Sequence, residues 1–318
     1  MKKFALSLAQ MLALLVPLPA LAFPVTVESC GRSVTFDSAP KRAVIQDINM
    51  SEMAFALGLQ PSIVGVSGIT GWYKLDDAFK QQLGDIPELA PKYASVENLV
   101  AASPDFFFAG WYYGMKPGGD VTPDTLAPYG IKTLELTESC IHLDRNRPAP
   151  TMELLYGDMK KLGIIFGKEA EADRLIAGWK ERLAEIRSKI GSDSGTRVFL
   201  YDSGDDKPFT AGKFAIPTAM IAEAGGTNIM ADMETSWGTT SWETVAARNP
   251  QFLVLLDYQD NAGYAKLLDF LKSHPAMKET DAVRNQRFVA LRYAELTPGP
   301  ANVEAIAKIA KAMHPEAF

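Results

Sequence analysis

The sequence predicts an α/β protein of two lobes, each with a parallel-type sheet covered by helices, joined by one long backbone helix. Three observations lead there. The stretch from Ser95 to Phe108 returns from Ser241 to Val254, and each copy reads as a Ser N-cap, a short helix with a Glu in its first turn, a Pro, and an apolar run suited to a buried strand. The offset of 146 residues is far longer than a solenoid unit, so the repeat marks two similar lobes. Short apolar runs alternate with helical stretches, the pattern of parallel sheets covered by helices. Between the two copies, Met152 to Ile190 keeps helical spacing without a strand.

Taken in order, residues 1–22 have the layout of a secretory signal. Lys2 and Lys3 precede an apolar run from Phe4 to Val16, and Ala20-Leu21-Ala22 offers a cleavage site. A membrane anchor needs about 20 apolar residues, more than are present. Cys30 does not stand in a lipid-attachment context, so the mature chain is expected free in the periplasm, not as a lipoprotein. Residues 23–150 form the first lobe, with strands expected near Ala43–Gln46, Ile63–Val66, Phe106–Ala109 and Thr133–Leu136 and helices at Ser51–Leu59 and Val96–Ala101. Residues 151–192 form the interlobe helical region, where an unbroken helix from Lys168 to Ile190 would reach about 35 Å. Residues 193–318 form the second lobe, with strands near Val198–Tyr201, Phe252–Leu256 and Phe288–Leu291. Its helices are Pro217–Ala224, stopped by Gly225-Gly226, and Val303–Met313.

Composition narrows the function. The formal charge of −6 becomes −8 once Lys2 and Lys3 are removed, which argues against nucleic acid or anionic lipid as the partner. Two cysteines in an exported chain, Cys30 and Cys140, favour one disulfide tying the start of the first lobe to its end, with a buried thiol pair as the alternative. No P-loop, HExxH or GxSxG is present. Gly65 to Gly71 lacks dinucleotide spacing and reads as a loop after a strand. Only three histidines, His142, His274 and His314, are available, so a bare-metal site is not expected and no cofactor is implied.

The aromatic residues carry more. Trp72, Tyr73, Tyr93, Trp111, Tyr112, Phe209, Trp237 and Tyr293 fall mostly in loops just past the C-terminal ends of predicted strands, where ligands bind in open α/β sheets. Rings there suit a large, flat or partly apolar ligand. Trp179 and Trp242 lie in helices and read as core. Arg145, Arg147, Arg292, Lys74, Lys116 and Lys213 are the basic residues that could stand near the rim. Glu97 and Glu243 begin equivalent helices, one on each lobe, a layout suited to docking a twofold partner.

The order of several segments resembles the periplasmic binding proteins of ABC importers for iron–siderophores, cobalamin and haem. These segments are Val34 to Val44, Glu52 to Gly58, the two repeats, Pro208 to Lys213, Gly225 to Ile229 and Tyr293 to Pro300. The resemblance covers essentially the whole mature chain. It implies two lobes joined by a single long helix, a metal chelate held between them, and delivery to a permease dimer by a monomeric, non-enzymatic carrier. It implies that Glu97 and Glu243 pair with permease arginines. It also implies that aromatics at Tyr93, Phe209 and Trp237, and in the loops of Trp72 or Tyr73 and Trp111, line the site as in the cobalamin-binding member, whereas Tyr293 to Pro300 is closer to siderophore and haem members. An iron–siderophore is the expected ligand, with a corrinoid or haem as the alternative. A siderophore-modifying enzyme or metallochaperone is the reading from another class, and it would need a nucleophile–base set around Ser67, Ser203 or His142.

Overall fold

The computed structural model describes residues 23–71, 75–191, 195–258 and 263–318. The expected leader, Trp72, Tyr73 and Lys74 lie outside these residues.

The chain opens with an antiparallel hairpin, β1 (Val25–Ser29) and β2 (Arg32–Phe36), which the sequence reading did not anticipate. Its alternation buries Val25, Val27, Val34 and Phe36 against the first lobe. The turn is Cys30-Gly31, both at positive φ (47° and 84°), so the hairpin closes in two residues. Cys30 and Cys140 form a disulfide with Cα atoms 5.2 Å apart, closing a separation of 110 residues. Beside it the fully buried Glu135 accepts from Ser29 and pairs with Arg32 at 2.5 Å.

Then follow β3 (Ala43–Gln46), β4 (Ile63–Ser67), β5 (Glu88–Ala90), β6 (Phe106–Trp111), β7 (Gly114–Met115) and β8 (Lys132–Glu135). The parallel sheet runs β5-β4-β3-β6-β8, with β7 paired to the end of β6. Ala43 to Ile45 and Phe106 to Phe108 are all fully buried, as expected of central strands covered on both faces.

The connector is two helices, Glu153–Phe166 and Glu169–Ile190, separated by Gly167 at φ 64°. The second, 22 residues long, spans about 33 Å. Its buried stripe is Ala172, Ile176, Leu183 and Ile186, one helical face. Lys180–Glu153 (2.7 Å) and Arg182–Glu304 (3.1 Å) fasten it to the preceding helix and to the last helix of the chain.

The second lobe holds β9 (Thr196–Tyr201), β10 (Phe209–Ala211), β11 (Gly226–Asn228), β12 (Trp237–Thr239), β13 (Phe252–Asp257) and β14 (Phe288–Arg292). Its parallel sheet runs β11-β9-β13-β14, and β10 and β12 make a separate antiparallel ribbon. Helices Ile216–Glu223 and Asn302–Met313 bury one face each beneath it.

The repeated motif folds alike in both lobes. Ser95 Oγ accepts from the Asn98 amide (3.2 Å) to start helix Val96–Ala102, and Ser241 Oγ accepts from the Thr244 amide (3.1 Å) to start Trp242–Ala247. Each copy turns at a left-handed residue before its proline, Ser103 at φ 49° and Asn249 at φ 42°. A proline disfavours the α region for the residue before it, which is why the helix stops there and not at the proline itself. Trp242 is core as expected, and Trp179 is partly buried, its ring stacked on that of Tyr156 with centroids 6.3 Å apart. Among the described residues no helix is long and apolar enough to cross a membrane.

Candidate functional site

A cavity of about 440 Å³ lies between the lobes, at the C-terminal ends of the parallel strands. The first lobe contributes Tyr112 and Tyr113, just past β6, and His142. The second contributes Asp202 after β9, Leu256 and Tyr258 at the end of β13, and Tyr293, Leu296 and Thr297 after β14. Phe209 and Trp237 come from the β10–β12 ribbon, their rings stacked with centroids 6.0 Å apart and 18° between planes. A smaller space of about 260 Å³ continues from it into the second lobe, sharing Asp202, Leu256 and Tyr258.

Backbone geometry sets the first-lobe wall. Tyr112 sits at φ 65°, a conformation that L-residues seldom adopt, and its ring projects half-exposed. Its amide donates to the Met115 carbonyl (2.6 Å), and the Tyr93 hydroxyl donates to its carbonyl (2.9 Å). The ring meets the His142 imidazole edge-on at 4.6 Å. On the opposite wall the Tyr258 hydroxyl donates to both Asp202 oxygens at 3.1 Å, and Ser203 Oγ donates at 2.5 Å.

Of the aromatic residues expected at the site, Tyr112, Phe209, Trp237 and Tyr293 line this cavity. Tyr93 lines instead a neighbouring groove of about 430 Å³ beside Glu97 and the head of helix Val96–Ala102. Trp111 requires a correction of position. The strand runs two residues further than expected, and side chains alternate along it. Phe107, Ala109 and Trp111 therefore share one face, and Trp111 is 5% exposed, packed in the first-lobe core with Leu99 and Met115. Trp72 and Tyr73 lie outside the described residues. Tyr113, His142, Asp202 and Tyr258 were missing from the expected set. Asp202 and Tyr258 each follow an anticipated strand; Tyr258 satisfies the rule that selected Tyr293, whereas Asp202 falls outside a rule confined to aromatic side chains.

Beneath the cavity, polar groups join the lobes. Asp47, at φ 69°, caps helix Ile48–Ala56 by accepting from the Ile48 amide (2.8 Å) and also accepts from the Tyr293 hydroxyl (3.1 Å). Glu138 accepts from the Ile216 amide (3.2 Å) and Ser236 Oγ (3.0 Å). Asn49 Nδ2 donates to the Pro298 carbonyl (2.7 Å), and Arg292 pairs with Asp76 and Glu295. Burial pushes the carboxyl groups of Asp47 and Glu138 up to about 7 and that of Asp202 up to about 6. Burial, aided by the charge of Arg145, holds the His142 imidazole below its ordinary range.

Ser67 Oγ donates to Gln46 (2.7 Å) and Ser203 to Asp202, while His142 packs on Tyr112, so the three groups that an enzymatic reading would need are engaged separately. Among the described residues no group of three or more His, Cys, Asp or Glu side chains is placed to hold a metal ion. Glu97 and Glu243 are exposed at the heads of their helices, one on each lobe.

Comparison with known proteins agrees with this architecture. A family model described as periplasmic binding protein matches residues 47–294. The chain is 25% identical over 301 residues to an uncharacterized ABC transporter substrate-binding lipoprotein, YvrC, of Bacillus subtilis, covering 93% of this chain and 87% of that one. It is 26% identical over 300 residues to a cobalamin-binding protein of Halobacterium salinarum, covering 93% and 75%. Among solved structures, a periplasmic binding protein from Veillonella parvula superposes with a TM-score of 0.80 at 26% identity, over 92% of this chain and 97% of that one. With the family model spanning both lobes and the cavity between them, this chain belongs to the periplasmic binding protein family, in the class whose two lobes are joined by one long helix.

Proposed function

We propose that this protein is the substrate-binding component of an ABC importer, which captures a metal chelate in the interlobe cleft and delivers it to a membrane permease, an iron–siderophore being the foremost ligand. The observation that supports this most is the interlobe cavity of about 440 Å³, walled by aromatic rings from both lobes and open at the strand ends. That volume is in the range of small-molecule sites, and rings bury a large ligand at low entropic cost. A corrinoid is the second reading, favoured by the cobalamin-binding relative that matches along 93% of this chain. The work is capture and release, with no bond made or broken.

The connector helix makes large hinge closure unfavourable compared with small rocking of the lobes. Glu97 and Glu243 then present one carboxylate per lobe to the permease. We place the protein outside the cytoplasm, freed from its leader and not lipid-anchored, unlike what the name of the Bacillus relative states for that protein; the Cys30–Cys140 bond supports an oxidising compartment. Native mass spectrometry of protein purified from its own host, with absorbance recorded across the visible range, tests the reading. A retained metal complex is expected. An empty protein that also binds no ferric, corrinoid or porphyrin complex in calorimetry would overturn it.

A further inference from the structure

The lining of the cleft carries information about the charge of its ligand. Among the described residues that wall the larger cavity there is no lysine and no arginine; Lys266, exposed, lines the smaller space that continues from it past Asp202. Of the basic residues expected near the rim, Lys74 lies outside the described residues, and the others are engaged or placed elsewhere. Arg292 is paired with Asp76 and Glu295, Lys213 with Glu234 (2.7 Å), and Arg147 lies by Asp144 (3.9 Å) in a different cavity. Lys116 lines the groove by Tyr93, and Arg145 is exposed and does not line the cleft. His142 is the wall's own basic group, and burial disfavours its protonated form.

The negative side is built in. Asp202 is 5% exposed yet forms part of the wall. Its carboxylate is oriented by the Tyr258 and Ser203 hydroxyls, both donors, which favour the ionised form against the cost of burial. Around it stand the rings of Tyr112, Phe209, Trp237, Tyr258 and Tyr293, whose faces carry the negative end of the aromatic quadrupole. A polyanion entering the larger cavity would lose its hydration and meet a carboxylate and ring faces, with no lysine or arginine among that cavity's described lining to pair with it, and an unpaired buried charge is costly. A cation meets the opposite: a carboxylate partner and several ring faces.

We propose that the cleft selects chelates that are neutral or positively charged and rejects polyanionic ones, with Asp202 as the residue that sets this preference. A ferric trihydroxamate with a pendant ammonium fits the class, as does an amide-bearing corrinoid. A ferric tris-catecholate, a ferric citrate complex and a dicarboxylate porphyrin do not. The inference rests on the cleft being the ligand site, as in the proposed function, but not on the ligand containing a metal.

Calorimetric titration of the full mature chain separates the two. The probes are ferrioxamine B, whose free amine is cationic, its N-acetylated neutral form, ferric enterobactin as a polyanion, and two metal-free flat dyes, cationic proflavine and anionic 1-anilinonaphthalene-8-sulfonate. Ferrioxamine B is expected to bind at least tenfold more tightly than its acetylated form, and proflavine more tightly than the sulfonate, with ferric enterobactin weakest among the chelates. Asp202→Asn should erase both cationic preferences, and Tyr258→Phe, which leaves the carboxylate but removes one of its donors, should weaken them without erasing them. The comparison within the unaltered protein stands even where a variant fails to fold. If proflavine binds with Asp202-dependent preference while no chelate of any charge binds, the metal-chelate reading fails and the charge selection holds. Equal or tighter binding of the anionic member of either series overturns the charge selection, and so does binding of neither dye nor any chelate.

Discussion

Trp111 and Trp237 show what a single residue's position decides. Trp111 follows an apolar run and Trp237 stands just before the second repeat, and both looked equally suited to a ligand. Trp237 stacks on Phe209 at the cleft, while Trp111 is sealed in the first-lobe core because β6 extends to it and its parity matches Phe107. Alanine at Trp237 or Phe209 should therefore weaken ligand binding by about 1 kcal/mol or more with little change in melting, since anchoring rings dominate such sites. Alanine at Trp111 should do the reverse, costing roughly 3–5 kcal/mol of stability through the cavity it leaves, with affinity unchanged in the folded fraction. Tryptophan quenching and denaturant titration on the same samples separate these outcomes, and equal affinity in all three variants would move the ligand elsewhere. Glu138 gives a second prediction at this scale. Its carboxyl group is raised from 4.5 to about 7 by burial, as Asp47 is from 3.8 to about 7, so the folded state favours the protonated forms. Their stabilising contribution is complete below about pH 4 and is lost as pH rises through about 7. Glu138→Gln keeps an acceptor for Ile216 and Ser236 but cannot ionise. It should match the parent near pH 4 and exceed it near pH 8, by up to roughly 3 kcal/mol. A variant no more stable than the parent at pH 8 would mean that Glu138 carries its charge without penalty.

Elements were legible where periodicity or capping fixed them and opaque where a strand was short or stood alone. The repeated Ser-capped helices and the buried strands after them were visible because hydroxyl capping and unbroken apolar runs are local signals. The β1–β2 hairpin was not, although Val25, Val27, Val34 and Phe36 alternate inward, because five residues per strand behind a leader offer too little pattern. The β10–β12 ribbon was hidden for a different reason: its strands are three residues each and pair across 25 intervening residues, so the Phe209–Trp237 stack follows from a contact that no local rule predicts. Phe209 and Trp237, two of the six Phe, Tyr and Trp residues described in the cleft's wall, thus come from the least legible element. The hairpin carries its own prediction. Its turn places Cys30 against Cys140, and the bond closes a loop of 110 residues. Replacing both with serine should cost on the order of 4 kcal/mol, chiefly by releasing the unfolded chain. Non-reducing mass analysis of exported protein should show the mature chain two protons lighter than the thiol form, with no site for alkylation after unfolding. Two alkylatable thiols would show that the bond does not form in that compartment.

At the scale of the whole molecule, the sequence announced two lobes and a helical connector but not how firmly the lobes are joined. Tyr293 to Asp47, Asn49 to Pro298, Arg292 to Asp76 and Glu138 to Ser236 are contacts between residues 98 to 249 positions apart, and each becomes visible only when both lobes are folded. Together with the 22-residue helix they hold the two faces of the molecule in a fixed relation, so that Glu97 and Glu243 stand at a set separation on equivalent helices. Neither glutamate lines the cleft. A rigid pair of exposed carboxylates suits recognition by a twofold permease, where complementary charges set orientation and encounter rate. Reversing either to lysine should leave chelate affinity in solution unchanged and lower uptake sharply in cells that depend on this importer. The double reversal should be worse than either alone, because each lobe would then present a like charge to a basic partner. Reciprocal reversal of the permease basic residues proposed to face them should restore part of the uptake, which a defect in folding or export would not allow. A collapse of affinity with transport per bound ligand intact would assign both residues to the cleft, and the separation imposed by the long helix would then have no part in docking.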